Sequence, residues 1–553
     1  MPKVDGNPQL DGNPQLDAEA PGVGPAGAIE SGYDFIIVGA GSSGCVIARR
    51  LAERTDASVL LVEAGGPDED PRIHSTDMAN VMSLWGPGEL DWGYVTTPQP
   101  GLEGRQIAIA RGRVWGGSSS INALLYVRGN RRDYDRWAAL GAEGWGYASV
   151  LPYFRRSENF DGDASEYRGT GGPLNVTAAH RNTTAVAEAL FDAGVEYGLR
   201  DGREGYDYNA AEQADTVFYY QATTNPDGTR CSTAEAFLHP VLDLPNLTVL
   251  DRARVSRILL TSGRASGIEY VRDGRRGLIR ADQEVVLSAG AFGSPHLLML
   301  SGLGPAEHLL GHGVAVAADL PGVGANLQDH LLLSNAYLST QEQPEPGALI
   351  AETGFFVRAG GQTVDDSPGL QMMFGGLKFV APNLDREGAG YTFAPVLAQP
   401  RSRGTVRLAG PDAATPAVID PGYLTEPGDV EDLLEGLLLS RELASTRTMT
   451  AFAKAEIAPG PQARDRAALV DYIRAYSGTL WHPVGTCRMG ADSDKSAVVD
   501  PRLRVRGVAG LRVADASVMP RIVAANTNAA CIMIGEKAAD LIIEDNRVPK
   551  KKA

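Results

Sequence analysis

Two short stretches hold residue types able to do proton chemistry. The first is TLWHPVGTCRMG, Thr479 to Gly490. It carries His482, one of eight histidines in 553 residues, between the indole Trp481 and the ring Pro483. An unperturbed imidazole titrates near ~6.5 and can take a proton at neutral pH. A bulky and a rigid neighbour would fix which proton it meets. An imidazole satisfied by backbone at a helix start is equally open on spacing alone. The second stretch is ANTN, with Asn526 forty-four residues after His482. An amide cannot be a base, but it can hold an oxygen by hydrogen bond. A helix is predicted from about Asn528 to Ile543, so Asn526 could also serve as its N-cap, and Asn528 is an equally good cap. Other histidines read as structural: His330 at the end of PGVGANLQDH, His239 before Pro240, and His296 on a helix. Phe356, Met372, Met373 and Phe374 fit a cavity wall or a plain core.

The elements that must position these groups begin with YDFIIVGAGSSGCVIARRLAERTDASVLLVEAG. Tyr33 to Val38 reads as a buried parallel strand, Val46 to Arg54 as a helix, and Ser58 to Val62 as a second strand. Gly39, Gly41 and Gly44 form GxGxxG between the first two. Gly39 permits the tight turn, Gly41 lets backbone approach a pyrophosphate, and Gly44 allows close helix–strand packing. Ser42 and Ser43 open the helix, whose N-terminus favours anions. Glu63, followed by Ala64, can accept from ribose hydroxyls. In this order the motif predicts dinucleotide binding, but it does not separate FAD from NAD.

Three further stretches build on that crevice. RGRVWGGSSSINALLYVRGN, residues 111–130, brings Gly112, Val114, Gly116, Gly117, Ser118, Asn122, Ala123 and Leu124. Its glycines let backbone come close to something flat or charged. SAGAFGSPHLLMLSGLG follows an apolar strand at Val285 to Leu287 and makes a second strand-to-helix turn at Ala289. Near the end, Leu511 to Val513 reads as another buried strand, with Asp515 and Ala516 just past it and Asn526 and Thr527 before the last helix.

These stretches resemble the glucose–methanol–choline (GMC) oxidoreductase family. The resemblance runs over nearly the whole chain after the first thirty residues, including DYDRWAALGAEGWGYASVLPYFRRSE, RCSTAEAFLHP, PGVGANLQDH, SRGTVRL and NTNAACIMIGEKAADLI, all in the family's order. It implies a flavoprotein that oxidises an alcohol to an aldehyde or ketone with FAD. It places His482 as the base that takes the hydroxyl proton while hydride passes to flavin N5, and Asn526 as the hydrogen bond to the alcohol oxygen. Cofactor contacts are implied also at Trp92, Val255 and Trp481. The rate is then expected to rise with pH as the imidazole loses its proton. Some members attach FAD covalently through a His just before the signature Asn. Here that position is Ile121, so FAD is expected to be held without a covalent bond. Two other chemistries exist on the same fold: an FAD-containing lyase that cleaves cyanohydrins, and a flavin photodecarboxylase. A neutral alcohol is favoured, since no acid stands out as partner for an ammonium. O2 or another acceptor would take the electrons.

The resemblance implies an α/β (α+β overall) fold. A discontinuous Rossmann-like FAD domain would use 31–160, 211–330 and 480–547. A substrate domain, an antiparallel sheet flanked by helices, would use 161–210 and 331–479. Helices are predicted at 429–447 and 465–476. Residues 1–30, with DGNPQL twice in tandem, read as a disordered leader, and 548–553 as a solvated tail. Composition agrees with a soluble globular protein: 43% hydrophobic, 22% charged. A net charge of −17 argues against nucleic-acid partners. No apolar run is long enough to span a bilayer. Cys45, Cys231, Cys487 and Cys531 form no CxxC pair, so no metal site is expected and a reducing, cytoplasmic setting is. The sequons at Asn175, Asn182 and Asn246 carry no weight without secretion.

Overall fold

A computed structural model describes residues 29–178, 183–210, 213, 215–342, 349–363 and 365–546. The tandem DGNPQL, Asn182 and the tail 548–553 lie outside the described residues. The expected leader does too, except its last two positions, which already belong to the strand Ile29–Val38.

Four parallel strands form the first sheet in the order Leu247–Leu250, Val59–Val62, Ile29–Val38 and Arg275–Leu287. Ile36 lies opposite Leu60, which lies opposite Thr248. Phe35, Ile36 and Ile37 are fully buried, as are Val59 and Leu61. Both faces of these strands are covered, which is why they read as unbroken apolar runs. Burying each such side chain contributes about 1.5–3 kcal/mol before chain entropy is counted. The long strand Arg275–Leu287 forks. Its end pairs in parallel with Leu511–Val513, while its start carries an antiparallel ribbon of Arg254–Thr261 and Arg264–Arg272. The first helix, Ser42–Arg54, packs on the last, Asn528–Asp545. Their axes can come close because a Cβ at Gly535 would sit 2.8 Å from the Ser43 carbonyl oxygen.

The second sheet is antiparallel except at one edge. Its order is Ala453–Ala458, Asn335–Ser339, Gly390–Leu397, Leu370–Gly375, Thr353–Val357, Thr216–Tyr219 and Arg200–Asp201. Helices Ala185–Tyr197 and Pro427–Ala444 cover its outer face; the latter and Arg466–Tyr476 sit where the sequence predicted helices. Thr216–Tyr219 departs from the expected division. It falls in the segment assigned to the FAD domain, yet Tyr219 pairs with Thr353 of the second sheet. Its TVFY run has the aromatic and β-branched character of a strand but no turn signal to say which sheet it joins.

The second sheet is extended where 328–332, paired with the end of Gly390–Leu397, runs antiparallel to 478–484. Leu331 pairs with Thr479, Leu480 N donates to the His330 carbonyl at 2.9 Å, and Gln328 and Val484 exchange backbone hydrogen bonds at 3.1 and 2.9 Å. This ladder lays the LQDH segment beside WHP.

Candidate active site

Parallel strands deliver their carboxyl ends to one edge, and a ligand crevice forms there when the connections leave room. Val38, Val62, Leu287 and Val513 all end at that edge. Beyond it lies a single cavity of about 290 Å³, bounded at one end by Gly39, Gly41, Ser42, Ser43, Glu63 and Ala64, and at the other by Trp481, His482 and Asn526.

The turn after the first strand is over-determined. Gly39 has φ +103°, and a Cβ there would meet the Ser288 carbonyl oxygen at 2.5 Å. A Cβ at Gly44 would lie 1.9 Å from the Gly39 carbonyl oxygen. Gly41 differs. Its φ of −85° suits any residue, and an added Cβ would meet only the Gly117 Cα, at 4.0 Å. Neither conformation nor protein packing requires glycine at 41. What its missing side chain leaves open is the cavity. The first helix has no side-chain N-cap, so its first N–H groups also face that space. Both features fit a pyrophosphate-bearing dinucleotide. Glu63 is nearly buried, and its first task is local: its carboxylate accepts from Ala40 N at 2.9 Å and Gly65 N at 2.8 Å. Burial raises its pKa while those donors oppose the rise. Asp515 does the same for the neighbouring turn, accepting from Gly290 N, Ser294 Oγ and Ser517 N.

The 111–124 loop lies directly on the glycine turn. A Cβ at Gly117, φ +54°, would be 2.8 Å from the Gly41 Cα, and Gly116 N donates to the Ala40 carbonyl at 2.7 Å. Ser119 and Ser120 bond inward, to Gly116 and Thr233 and to Trp115. Ser118, Asn122 and Ala123 are left facing the cavity.

At the far end His482 is held from three sides. Its backbone N–H donates to Asp329 Oδ1 at 2.7 Å; the other oxygen of Asp329 accepts from Tyr423 OH at 2.5 Å and Thr479 Oγ1 at 2.6 Å. Trp481, just before it, has φ +59°, an unfavourable conformation for a bulky residue, and its ring packs on Trp85 at a 37° tilt with centroids 4.7 Å apart. The His482 ring Nδ1 lies 3.0 Å from His330 Nδ1. His330 Nε2 lies 3.1 Å from the Ala398 carbonyl, which can only accept. A neutral His330 therefore spends its one N–H on Ala398 and offers a lone pair at Nδ1. His482 must donate to that lone pair from its own Nδ1, which leaves its Nε2 as an acceptor. Asn526 Nδ2 is 3.4 Å from that Nε2, too long to occupy it fully. Asn526 Oδ1 is buried without a partner.

Electrostatics keeps the pair neutral. Burial, then His330 and Arg111, hold the His482 pKa well below the usual imidazole range. Burial lowers His330 to about 4, against the carbonyls of Ala398 and Val523. His482 is thus a free base throughout neutral pH.

Most residues singled out from sequence line this one cavity: Trp92, Gly112, Leu124, Val255, Ala289, Ala516 and Thr527 join those already named. Two do not. Gly44 lies beneath the turn, where its packing role puts it. Val114 turns into a small core with Ile73, Leu84, Ala110 and Ile121, because its backbone pairs with Gly66. The N-cap position of the last helix is Thr527, so Asn526 is free to face His482. Met373 bounds the cavity, whereas Met372 points to the helix-covered face, as strand alternation demands. Phe374 also bounds it, its ring packed on Tyr391 and Phe393; Phe356 stays in the core. His239 sits between Asp68 and Glu235. Sequence reasoning missed Asp329 and the role of His330, though an acid and an imidazole adjacent in LQDH were the available signal. It also missed Trp85, which lines the cavity from outside any motif, and Arg111 and His296, which line it from within two of the quoted stretches.

A two-sheet dinucleotide protein with a buried neutral histidine at the end of its crevice defines a class, and comparison gives its family. Family models described as GMC oxidoreductase match residues 33–332 and 400–535. An oxygen-dependent choline dehydrogenase from Sinorhizobium medicae (strain WSM419) is 40% identical, over 92% of this chain and 95% of the relative. An alcohol dehydrogenase [acceptor] from Pseudomonas putida is 38% identical, over 92% and 96%. Among solved structures, pyridoxine 4-oxidase from Mesorbium loti aligns with TM-score 0.86 and 35% identity, covering 92% of this chain and 98% of that one. A fungal aryl-alcohol oxidase aligns with TM-score 0.80 and 26% identity, covering 93% and 99%. The chain belongs to the GMC oxidoreductase family. It is an FAD-dependent oxidoreductase acting on CH–OH groups, and the lyase and photodecarboxylase alternatives are not favoured.

Proposed function

We propose that this enzyme oxidises a neutral, largely apolar alcohol, with His482 Nε2 taking the hydroxyl proton. The observation that carries this reading is the histidine pair: His330 fixes the tautomer that leaves Nε2 as a lone pair. Asn526 Nδ2 donates to the alcohol oxygen beside it and favours the alkoxide as the proton leaves. FAD, when bound, supplies the acceptor for the hydrogen on carbon. The residues proposed to hold it are Gly39, Gly41, Ser42, Ser43, Glu63, Ala64, Trp92, Gly112, Gly117, Ser118, Asn122, Ala123, Leu124, Val255, Ala289, Asp515, Ala516 and Thr527. The Ile121 side chain offers only carbon atoms, so the cofactor is held without a covalent link.

The choice of alcohol rests on the wall. Near the second sheet the cavity is bounded by Leu332, Ile350, Met373, Leu377, Phe379 and Leu480, with Trp85 and Trp481 beside them. The only carboxylates among the lining residues are Glu63 and Asp515, both engaged by backbone donors. Arg111 adds a positive charge. A quaternary ammonium would find aromatic faces but no counter-ion, whereas a benzylic or other apolar alcohol would bury its body fully. We also propose a division into an FAD part (31–160, 223–330, 480–547) and a substrate part that takes in Thr216–Tyr219.

Among the described residues no helix is long and apolar enough to cross a membrane. The four buried, unpaired cysteines suit the cytoplasm, which we propose as its setting, with O2 or a second acceptor reoxidising the flavin. An anaerobic panel of benzylic, aliphatic, sugar and amino alcohols, read as bleaching of the flavin band, tests the reading. Benzylic alcohols should reduce the flavin fastest. Fast reduction by choline with none by apolar alcohols would refute the substrate class.

A further inference from the structure

Arg230 has no place in the chemistry above, yet its setting is unusual. It comes from RCSTAEAFLHP, just before the turn Ala234–Leu238, and is 1% exposed. Its Nε donates to the Ile73 carbonyl at 2.7 Å. Its Nη1 donates to Asn122 Oδ1 at 2.7 Å and more weakly to the Ser119 carbonyl at 3.3 Å. Its Nη2 is buried with no partner. Among the described residues no carboxylate pairs with it. The other buried arginines differ: Arg128 and Arg168 pair with Glu158, and Arg512 with Glu284 and Asp545. A buried cation without a counter-ion is costly by several kcal/mol. Burial alone lowers its pKa, to about 9, so it stays charged at neutral pH.

The one bond Arg230 makes toward the cavity decides an orientation. Asn122 Oδ1 accepts from both Arg230 Nη1 and, at 3.1 Å, Leu124 N. Two donors on one atom identify it as the oxygen. The Nδ2 amide donors are then the end that Asn122, a cavity-lining residue, has left to present. Without the guanidinium the amide could turn over and present an acceptor instead. The same guanidinium places a full positive charge directly behind those donors, in a medium of low dielectric.

We propose that Arg230 is a positioning residue of the redox site: it fixes Asn122 as a donor toward the bound FAD and supplies the uncompensated positive charge that favours the reduced, anionic flavin. The fold leaves the guanidinium without a carboxylate, and the electrons arriving on the cofactor bring the missing negative charge. This rests on FAD occupying the cavity, so FAD loading of the wild type is measured first; a wild type that takes up no FAD would fail the family reading and not this one.

The test is an equilibrium redox titration of FAD-loaded wild type, Arg230→Gln and Asn122→Asp. Gln keeps a hydrogen-bond donor but no charge. Asn122→Asp gives Arg230 a carboxylate partner without disturbing the core, and so guards against a Gln variant that fails to fold. In each variant the ratio of FAD affinities, reduced over oxidised, should fall at least tenfold, which for two electrons is a potential about 30 mV more negative. Thermal stability reports any structural role separately. Wild-type potentials in Asn122→Asp, or in a folded, FAD-loaded Arg230→Gln, would overturn the proposal.

Discussion

The two ends of the cavity are built on different principles. The cofactor end is made of backbone. Gly39, Gly44 and Gly117 are forced by contacts of 1.9 to 2.8 Å, and Glu63 and Asp515 use their carboxylates to pin turns. Little there could change without losing the shape. The alcohol end is made of side chains from strands of the second sheet, such as Met373 opposite Ala394, and these can be exchanged for others of similar volume. Between them stands the pair His330 and His482, brought together by the ladder of 328–332 on 478–484. The difference teaches where binding and where selectivity reside. On the proposed reading, cofactor binding rests on geometry that tolerates no side chain, and substrate choice on side chains that the geometry tolerates freely.

That contrast can be broken at several points. The largest effect is expected at Gly44→Val. A Cβ 1.9 Å from a carbonyl oxygen forces helix and turn apart, so no FAD-loaded protein should be recovered, as soluble yield and flavin absorbance will report. Gly41→Val should fold, since its φ is ordinary and its neighbours leave room, yet it should bind FAD about a hundredfold more weakly, ~2.7 kcal/mol. A melting curve without FAD alongside a titration with FAD separates the two. An equal loss of unliganded stability would show that Gly41 is only another packing glycine.

Toward the alcohol end the effects shrink. Asn526→Ala removes one hydrogen bond to a developing charge, costing about 1.5–2 kcal/mol, or a ten- to thirtyfold slower flavin reduction. Its FAD content should be unchanged, which stopped-flow and absorbance together check. Phe379→Glu should raise turnover of choline relative to benzyl alcohol by about tenfold, ~1.4 kcal/mol, by giving the apolar wall the counter-ion it lacks. If the native enzyme already prefers choline, or the substitution leaves the ratio unmoved, the wall does not set selectivity as described.

The same contrast explains what the sequence made legible. The cofactor end was readable because backbone approach demands glycine, and glycine at fixed spacing between a strand and a helix has few other causes. Glu63 lines the cavity, but its bonds to Ala40 N and Gly65 N were not foreseen, because a carboxylate at a strand end looks the same whether it faces a ribose or its own turn. Val114 sits inside the motif, yet its side chain packs in a small core away from the cavity. His330 was passed over because its significance depends on a ladder between 328–332 and 478–484, a pairing about 150 residues apart that no local pattern reports. Thr216–Tyr219 changed sheets for a similar reason. The alcohol wall stayed hidden because Met373 and Met372 are adjacent in sequence, and only the sheet's register tells which one faces the cavity.

The central claim is that His482 Nε2 is a neutral base kept free by His330. Anaerobic stopped-flow reduction of the flavin by a benzylic alcohol, followed across pH in wild type and His482→Ala, tests it most directly. The wild-type rate should be flat through neutral pH and fall only in acid, below the usual imidazole range. The variant should bind FAD normally, reduce it about 10²–10⁴-fold more slowly, and lose the acid inflection. A His482→Ala enzyme that reduces its flavin within a few-fold of wild type, with the same pH profile, would contradict the account.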